Sequence, residues 1–522
     1  MPVPRPKDVE LSTVTADQTP AAPTPAETID THDLRQVRLA KRAELLEAGR
    51  EAYPVGVERS HTLLQIREKY AHLEAGEETQ DVVGVAGRIV FARNTGKLCF
   101  ATLQESGPKG EAVRLQAMLS LANIGEESLA DWKRLTDLGD HVFVKGAVVT
   151  SRRGELSIMV TEWQMASKAL RPMPVLHADL NEENRVRQRY ADLMVRDEAR
   201  EMIYKRDAVT RAVRDTLYGH GYVEVETPML QLMHGGAAAR PFHTHLNAFD
   251  QDMTLRIATE LYLKRTVVGG IPRVFEVGRL FRNEGVDSTH SPEFTTLECY
   301  EIYADQFVMA ERIQEIILKA ADAVGAGRRI ETSQGTINLD GEWRWLSVYP
   351  ALSEAVGVDI TPETTAETLH SIAEKHHIKV DPKWGAEKLV IELFGEIVEP
   401  TLIDPTFVYD YPPAAQPLAR PHRSQPGVIE AWDLIIGGME RGTAFSELID
   451  PVIQRERLTE QSLMAADGDD EAMQLDEDFL RALEYGAPPM GGIGLGIDRL
   501  VMLFTDAGIR ETILYPLLKP EA

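Results

Sequence analysis

Cysteine is nearly absent from this chain: its 522 residues hold two, Cys99 and Cys299. Two cysteines exclude a disulfide framework and a cysteine zinc site, and they suit a reducing compartment. Positive charge is also short. Against 82 Asp and Glu there are 56 Lys and Arg, giving a formal net charge of −26. That balance argues against a general polyanion coat, so a nucleic-acid partner would have to be met by local basic patches. No apolar run is long enough to span a bilayer. The opening stretch MPVPRPKDVELSTVT lacks the apolar centre of a signal peptide,. The expectation is a cytoplasmic protein with no membrane partner, although composition does not separate this from any other soluble chain. Also missing are a Walker phosphate loop and a dinucleotide fingerprint, so a nucleotide would need arginines on a sheet rather than a loop cradle. No Ser-His-Asp set and no metal-type histidine pair stands out.

What is present suffices for sizeable cores, since 43% of residues are apolar, and the length implies more than one domain. Residues 1–30 are rich in Pro, Ala and Thr and read as a disordered tail. In DLRQVRLAKRAELLEAG, Leu34, Val37, Leu45 and Leu46 fall at helical spacing, Arg35, Arg38, Lys41 and Arg42 fall on other faces, and Gly49 is a stop. This basic helix is read as a solvated surface helix or an RNA contact. From Asp81 to Met165, three strands, a helix and two strands follow in the order of an OB-fold barrel. Such barrels often stack single-stranded bases on aromatics beside basic residues. Arg93, Phe100, Gln116 and Glu155 are candidates for that face; the alternative is a barrel that only packs, with Phe100 in its core. The first domain is placed at 31–170.

A Pro-containing linker runs into an Arg-rich helix and opens a second domain, 171–522. It begins with a long helix, and YVEVETPML follows as a strand ending near Pro228. Residues near 351–398 read as a mostly helical insertion between strands of the core sheet.

The densest segment is FRNEGVDSTHSPEFTTLECY, residues 281–300. VFEVGRLF and EFTTLECYEIY both alternate, with a polar loop between them, which predicts a hairpin. Arg282, Glu298 and Tyr300 then share one working surface. An arginine fork suits phosphate or carboxylate, and carboxylates beside a phenol suit an ammonium. A plain ladder of surface Arg–Glu pairs would read the same way. Glu260 stands just after a strand at a helix start, where the helix dipole also favours a carboxylate. Asp433, Glu440 and Glu447 lie at equal odd intervals in AWDLIIGGMERGTAFSELIDP. On one strand they would alternate faces, but the intervening Gly-Gly and Gly-Thr-Ala can reset the register. Carboxylates clustered beside a nucleotide suggest Mg²⁺ shared with phosphate oxygens; ordinary surface acidity is the alternative. GGIGLGIDRLVMLF is a glycine-rich strand entering a helix, with Asp498 and Arg499 at the junction. Its glycines allow either close ligand approach or tight packing.

Together these segments resemble the class II aminoacyl-tRNA synthetases, and among them lysyl-tRNA synthetases of the bacterial type. GYVEVETP is similar to the family's motif 1, FRNEG with HSPEFTTLE to motif 2 and GLGIDRL to motif 3. GGAAARPF, ATELYLKR, AFSEL and GDDEAM with DEDFLRALEYG also match. The resemblance implies an α+β fold, an N-terminal OB-fold barrel followed by an antiparallel-sheet catalytic domain flanked by helices. It implies ATP-dependent activation of L-lysine to lysyl-adenylate and transfer to tRNA(Lys), with Mg²⁺ as cofactor and a homodimer built on motif 1. Carried over by position, Arg282 holds the lysine carboxylate and the α-phosphate, and Arg499 the γ-phosphate end; these two are the catalytic pair. Glu284, His290, Ser291 and Phe294 meet ATP. Asp433 and Glu440 bind the metal. Gly236 and Glu260 meet the α-amino group, while Glu298, Tyr300, Thr443, Phe445 and Glu447 line the side-chain end. Arg93, Phe100, Gln116 and Glu155 match positions that read a U-rich anticodon.

Four positions depart from the commonest pattern: Ser291 for Asn, Asp433 for Glu, Thr443 for Asn, and Thr259 for the Pro before Glu260. Two other readings use the same residues, a lysine-activating relative with another acceptor and an inactive RNA-binding relative. The full set of Arg and Glu residues argues against the second. A site for aspartate or asparagine would need a cationic or amide group instead of Glu298, Tyr300 and Glu447.

Overall fold

The computed structural model describes residues 33–174, 182–466 and 472–519. The expected tail at 1–30, part of the linker and part of GDDEAM lie outside the described residues. The chain forms two compact units. One holds the residues up to Gly107 with Ala112–Met173, the other Pro108–Glu111 with Pro174 onward.

The first unit begins with helix α1 (Leu34–Glu47), whose N-cap Asp33 accepts from the Arg35 and Gln36 amides. Gly49 ends it with φ +69°. Apolar spacing misread its faces. Leu34 and Leu46 are exposed, whereas Arg38 is buried. Arg38 donates to the carbonyls of Leu138, Ala169 and Arg171, which satisfies a guanidinium that spacing alone assigned to solvent,. After α2 (Leu63–Lys69) come β1 (Glu78–Asn94), β2 (Leu98–Ser106), β3 (Ala112–Ser120), α3 (Leu121–Leu135), β4 (His141–Thr150) and β5 (Leu156–Ser167). The strands close a barrel in the order β1-β2-β3-β5-β4, the OB-fold arrangement. Closure needs strand bending. At the β4–β5 register shift, a Cβ on Gly146 would fall 2.0 Å from the Met159 carbonyl oxygen, so only glycine fits,. Alternate residues such as Cys99, Ala101, Leu103, Leu115 and Ala117 fill the interior.

In the second unit, helix α4 (Asp197–Gly219) leads to β6 (Val223–Glu224). Of the predicted strand YVEVETPML only these two residues join the main sheet, and Leu230 begins a separate short strand, Leu230–Gln231. Beyond them the Thr227 amide donates to Glu276 Oε2 at 3.0 Å instead of to a strand, and Pro228 has no N–H to give. Helix α5 (Glu260–Val268) starts at Glu260. Strands β7 (Arg273–Phe281) and β8 (Glu293–Ile302) form the predicted hairpin, pairing Leu280 with Phe294 and Glu276 with Glu298. Helix α6 (Gln306–Val324), capped by Asp305, packs its Ile313, Ile316 and Ile317 against the sheet. Next come β9 (Arg344–Ser347), the helical insertion α7 (Val348–Val356), α8 (Ala366–Lys375) and α9 (Ala386–Ile397), then β10 (Thr406–Tyr409). Last are β11 (Ala431–Ile435), β12 (Glu440–Ser446), β13 (Met490–Gly496) and α10 (Ile497–Thr505).

The sheet order is β9-β10-β11-β12-β13-β8-β7-β6. Its six central strands are antiparallel, and the edge pairs β9–β10 and β7–β6 are parallel. The insertion is therefore the crossover that a parallel pair requires. Its Leu369, Leu389, Leu393 and Phe394 share one core cluster with Val408, Ile435 and Phe445 of the sheet.

Candidate functional site

One face of β8, β12 and β13, together with the start of α5 and the loop between β7 and β8, encloses a cavity of about 400 Å³. Every residue expected to meet ATP, metal or lysine lines it: Gly236, Glu260, Arg282, Glu284, His290, Ser291, Phe294, Glu298, Tyr300, Asp433, Glu440, Thr443, Phe445, Glu447 and Arg499.

The hairpin places Glu298 and Tyr300 on one face of β8 by their two-residue spacing. Both are buried, as are Glu260 and Glu447. Burial pushes the Glu298 carboxyl up to about 7, partly offset by the Thr259 amide, which donates to Glu298 Oε1 at 3.0 Å. Proline, usual at position 259 in the resemblance, has no such N–H. Burial likewise raises the Glu447 carboxyl, against the lowering effect of Lys264. Two glycines make room. A Cβ on Gly492 would lie 2.3 Å from Glu447 Oε1, and one on Gly236, at φ +87°, would lie 3.1 Å from the Glu260 Cβ.

Arg282 follows β7 directly. Its guanidinium sits 5.2 Å from the Phe294 ring centroid. His290, in the exposed loop, is held by Asp287 at 2.9 Å, and the Ser291 hydroxyl donates to the Glu293 carbonyl. The β11–β12 hairpin explains the odd spacing of the acidic residues. Gly437 and Gly438, both near φ +60°, turn the chain, so Asp433 lies opposite Thr443 and Glu440 opens the returning strand. The register is thus reset by a turn between two strands, with Glu447 just past the end of the second.

Arg499 Nη1 donates to the Glu440 carbonyl and lies 3.5 Å from Glu440 Oε2. Burial, then Glu440, pushes the Asp433 carboxyl up to about 7, while Thr443 and Tyr411 hydrogen-bond it. Among the described residues no group of three or more His, Cys, Asp or Glu is arranged to hold a metal. Two close carboxylates that repel each other nevertheless fit a divalent cation whose remaining ligands are phosphate oxygens.

Lys264 and Arg441 escaped the sequence reading, as did the partners of Asp498 at the strand–helix junction. Lys264 lies 2.5 Å from both Glu260 Oε1 and Glu447 Oε2; the i,i+4 Glu–Lys spacing in ELYLK was its signal. Arg441 is buried and donates to the Ile436 and Arg499 carbonyls, which only the tertiary fold reveals. Asp498, itself a lining residue of the cavity, pairs with Arg206 and accepts from the Thr295 amide.

In the barrel, Arg93 lies opposite Phe100 and Phe100 opposite Met118, on the strand faces turned away from the barrel core. Gln116, two residues before Met118, donates to Ser157 Oγ at 2.9 Å. Phe100 is half-buried and Arg93 exposed. Glu155 stands two residues before Ser157, exposed, and pairs with Arg67 at 2.9 Å.

Residues 181–519 match the family described as tRNA synthetases class II (D, K and N). The chain belongs to that family. Residues 83–166 of this class II synthetase match the OB-fold nucleic acid binding domain. Its relatives include the lysine–tRNA ligase of Kineococcus radiotolerans, 56% identical across 93% of this chain and 97% of that protein. The lysine–tRNA ligase of Mycobacterium tuberculosis is 52% identical, with the same two coverages. The lysylphosphatidylglycerol biosynthesis bifunctional protein LysX of Mycobacterium avium is 48% identical, over 93% of this chain but 41% of that protein.

Proposed function

We infer that this class II synthetase is a lysine–tRNA ligase, which activates L-lysine with ATP to lysyl-adenylate and passes the lysyl group to the 3′ end of tRNA(Lys). The observation that carries this reading is one cavity joining Arg282, Phe294 and Arg499 to three buried carboxylates and a phenol. An amino acid with a neutral side chain would leave the carboxylates at the side-chain end without their ammonium, and such sites reject the wrong side chain strongly. Identity to the named lysine–tRNA ligases, 56% and 52%, exceeds that to the bifunctional lipid-biosynthesis protein, 48%, which supports tRNA as acceptor.

In this reading Arg282 aligns the lysine carboxylate with the α-phosphorus of ATP. The carboxylate attacks in line and pyrophosphate leaves, a step that needs positioning and charge neutralisation rather than a protein nucleophile. Phe294 stacks on adenine, with Glu284, His290 and Ser291 along the nucleotide, and Arg499 meets the terminal phosphate. Asp433 and Glu440 would hold Mg²⁺, whose contribution when bound is to neutralise phosphate charge. Gly236 and Glu260 receive the α-amino group; Glu298, Tyr300 and Glu447 receive the side-chain ammonium, with Thr443 and Phe445 beside it. Arg93, Phe100, Gln116 and Glu155 read the anticodon, Glu155 exchanging Arg67 for a base. Val223, Met229, Leu230 and Leu232, around motif 1, are exposed apolar residues and support a homodimer across that surface. No described helix is long and apolar enough to cross a membrane, and tRNA and ATP as substrates support a cytoplasmic location.

ATP–pyrophosphate exchange with each of the twenty amino acids, with and without Mg²⁺, tests this. Exchange with lysine alone, followed by charging of tRNA, is expected. Exchange with another amino acid, or none at all, overturns it.

A further inference from the structure

Lys264 projects from α5 one turn after Glu260 and is 1% exposed at its side chain. Its ammonium lies 2.5 Å from Glu260 Oε1 and 2.5 Å from Glu447 Oε2. Both carboxylates line the cavity, and Lys264 is not among the lining residues. The ammonium therefore approaches them from behind and leaves the cavity side open. It also lies 5.9 Å from the Tyr300 ring centroid. Glu447 Oε1 has no hydrogen-bond partner among the described residues and faces the space that Gly492 keeps clear. A buried acceptor left so is costly until a donor arrives.

Resting on the lysine reading above, we propose that Lys264 is a fixed internal counter-ion that sets how many ammonium groups the pocket requires of its substrate. Glu260, Glu298 and Glu447 are three buried carboxylates, and Tyr300 is neutral there because burial raises its hydroxyl pKa well above the usual value. An ammonium needs the ionised form of each carboxylate, and in that ionised pocket Lys264 satisfies one of the three charges. Two remain, and L-lysine brings two ammonium groups, its own carboxylate being matched by Arg282. With Lys264 removed, the same pocket holds one negative charge too many. Buried charge without a partner is relieved by taking up a proton; that proton sits on one of the carboxylates that the ammonium groups of lysine meet, so binding there has to displace it. Lys264 is thus a positioning residue, tuning the carboxylates and touching no substrate.

The test is calorimetric binding of L-lysine to the full chain at pH 7, in buffers of different ionisation enthalpy, for the wild type, Lys264→Met and Lys264→Arg. Lys264→Met is expected to release up to one proton more per lysine bound than the wild type. Its KM for lysine in exchange rises roughly tenfold at pH 7 and closes on the wild type by pH 9, as a shift of about one pKa unit requires. Its KM for ATP stays within about twofold, and Lys264→Arg keeps the wild-type proton count. A purely structural role would weaken binding equally at every pH and leave the proton count unchanged, and that result overturns the proposal. If Lys264→Met does not fold, Lys264→Met with Glu260→Gln removes one charge of each sign. That double variant should show the wild-type proton count, and extra proton release from it would equally overturn the proposal. Wild-type protein that exchanges with lysine but fails these comparisons sinks this inference alone. Wild-type protein without lysine-dependent exchange sinks the lysine reading and this inference with it.

Discussion

The Arg282 guanidinium lies 5.2 Å from the centre of the Phe294 ring, across the hairpin that opens the cavity. Both residues line the cavity and Phe294 is only half-buried, so a purine can meet the ring there. Contacts of this kind contribute about 0.5–2 kcal/mol. Phe294→Ala should therefore raise the KM for ATP by roughly two- to thirtyfold, the equivalent of that energy, while the KM for lysine moves far less. Exchange kinetics with each substrate varied separately checks this. Arg282→Lys keeps the charge but loses the planar fork, so its larger loss should fall on kcat.

Much of this site could be read before any fold was known, because its residues sit on regular elements. Alternation along 273–302 gave the hairpin, and a two-residue period put Glu298 and Tyr300 together. The Asp433–Glu440 pair was harder. Their spacing makes sense only once Gly437 and Gly438 turn the chain, which no single-strand pattern encodes. Arg38 misled for another reason. Burial of an arginine depends on three backbone carbonyls distant in sequence, and apolar periodicity carries no trace of them. The buried ammonium of Lys264 showed locally as an i,i+4 pair with Glu260, but its second partner, Glu447, is remote.

Thr259 gives Glu298 a hydrogen bond that proline could not. Removing that donor destabilises the ionised carboxylate, so Thr259→Pro should raise the Glu298 carboxyl above its present value of about 7,. The sign follows from linkage. Glu298 ionises near the ordinary carboxylate range in the unfolded chain but holds its proton longer in the fold. Its burial therefore disfavours the unliganded fold increasingly as pH rises from about 4.5 to about 7,. An ammonium needs the ionised form, so the KM for lysine falls as pH rises through that window. In Thr259→Pro the fall should shift to higher pH, with a several-fold loss of lysine affinity at pH 7 that narrows by pH 8.5. The same linkage predicts that lysine raises the melting temperature of the wild type more at pH 8 than at pH 6. Thermal unfolding with and without lysine at the two pH values tests the sign, and an equal shift at both would contradict it.

On the proposed reading, Asp433 would set the metal requirement. Its carboxyl, pushed up to about 7 by burial and by Glu440, holds a proton below that pH, and a protonated acid is a poor ligand for Mg²⁺. The Mg²⁺ concentration for half-maximal exchange should therefore fall as pH rises from 6 to 8, and chelator should abolish exchange at every pH. Asp433→Asn removes the titration, so its Mg²⁺ requirement should be higher and nearly flat with pH. Exchange measured over a Mg²⁺ series at three pH values separates these outcomes.

Phe100 and Arg93 face each other on neighbouring barrel strands, with Met118 continuing the row. An aromatic that is half-buried beside an exposed arginine can take a base on its open face, a contact that contributes about 1–3 kcal/mol. Phe100→Ala should raise the KM for tRNA in aminoacylation by roughly tenfold or more, within that range. Activation of lysine, which uses groups of the other unit, should be the weaker readout of this change. Arg93→Ala should act differently. An exposed cation that neutralises phosphate contributes through counterion release, so its loss should flatten the salt dependence of tRNA binding by about one unit of slope. If both variants bind tRNA(Lys) as the wild type does at low and high salt, this face of the barrel has no part in recognition.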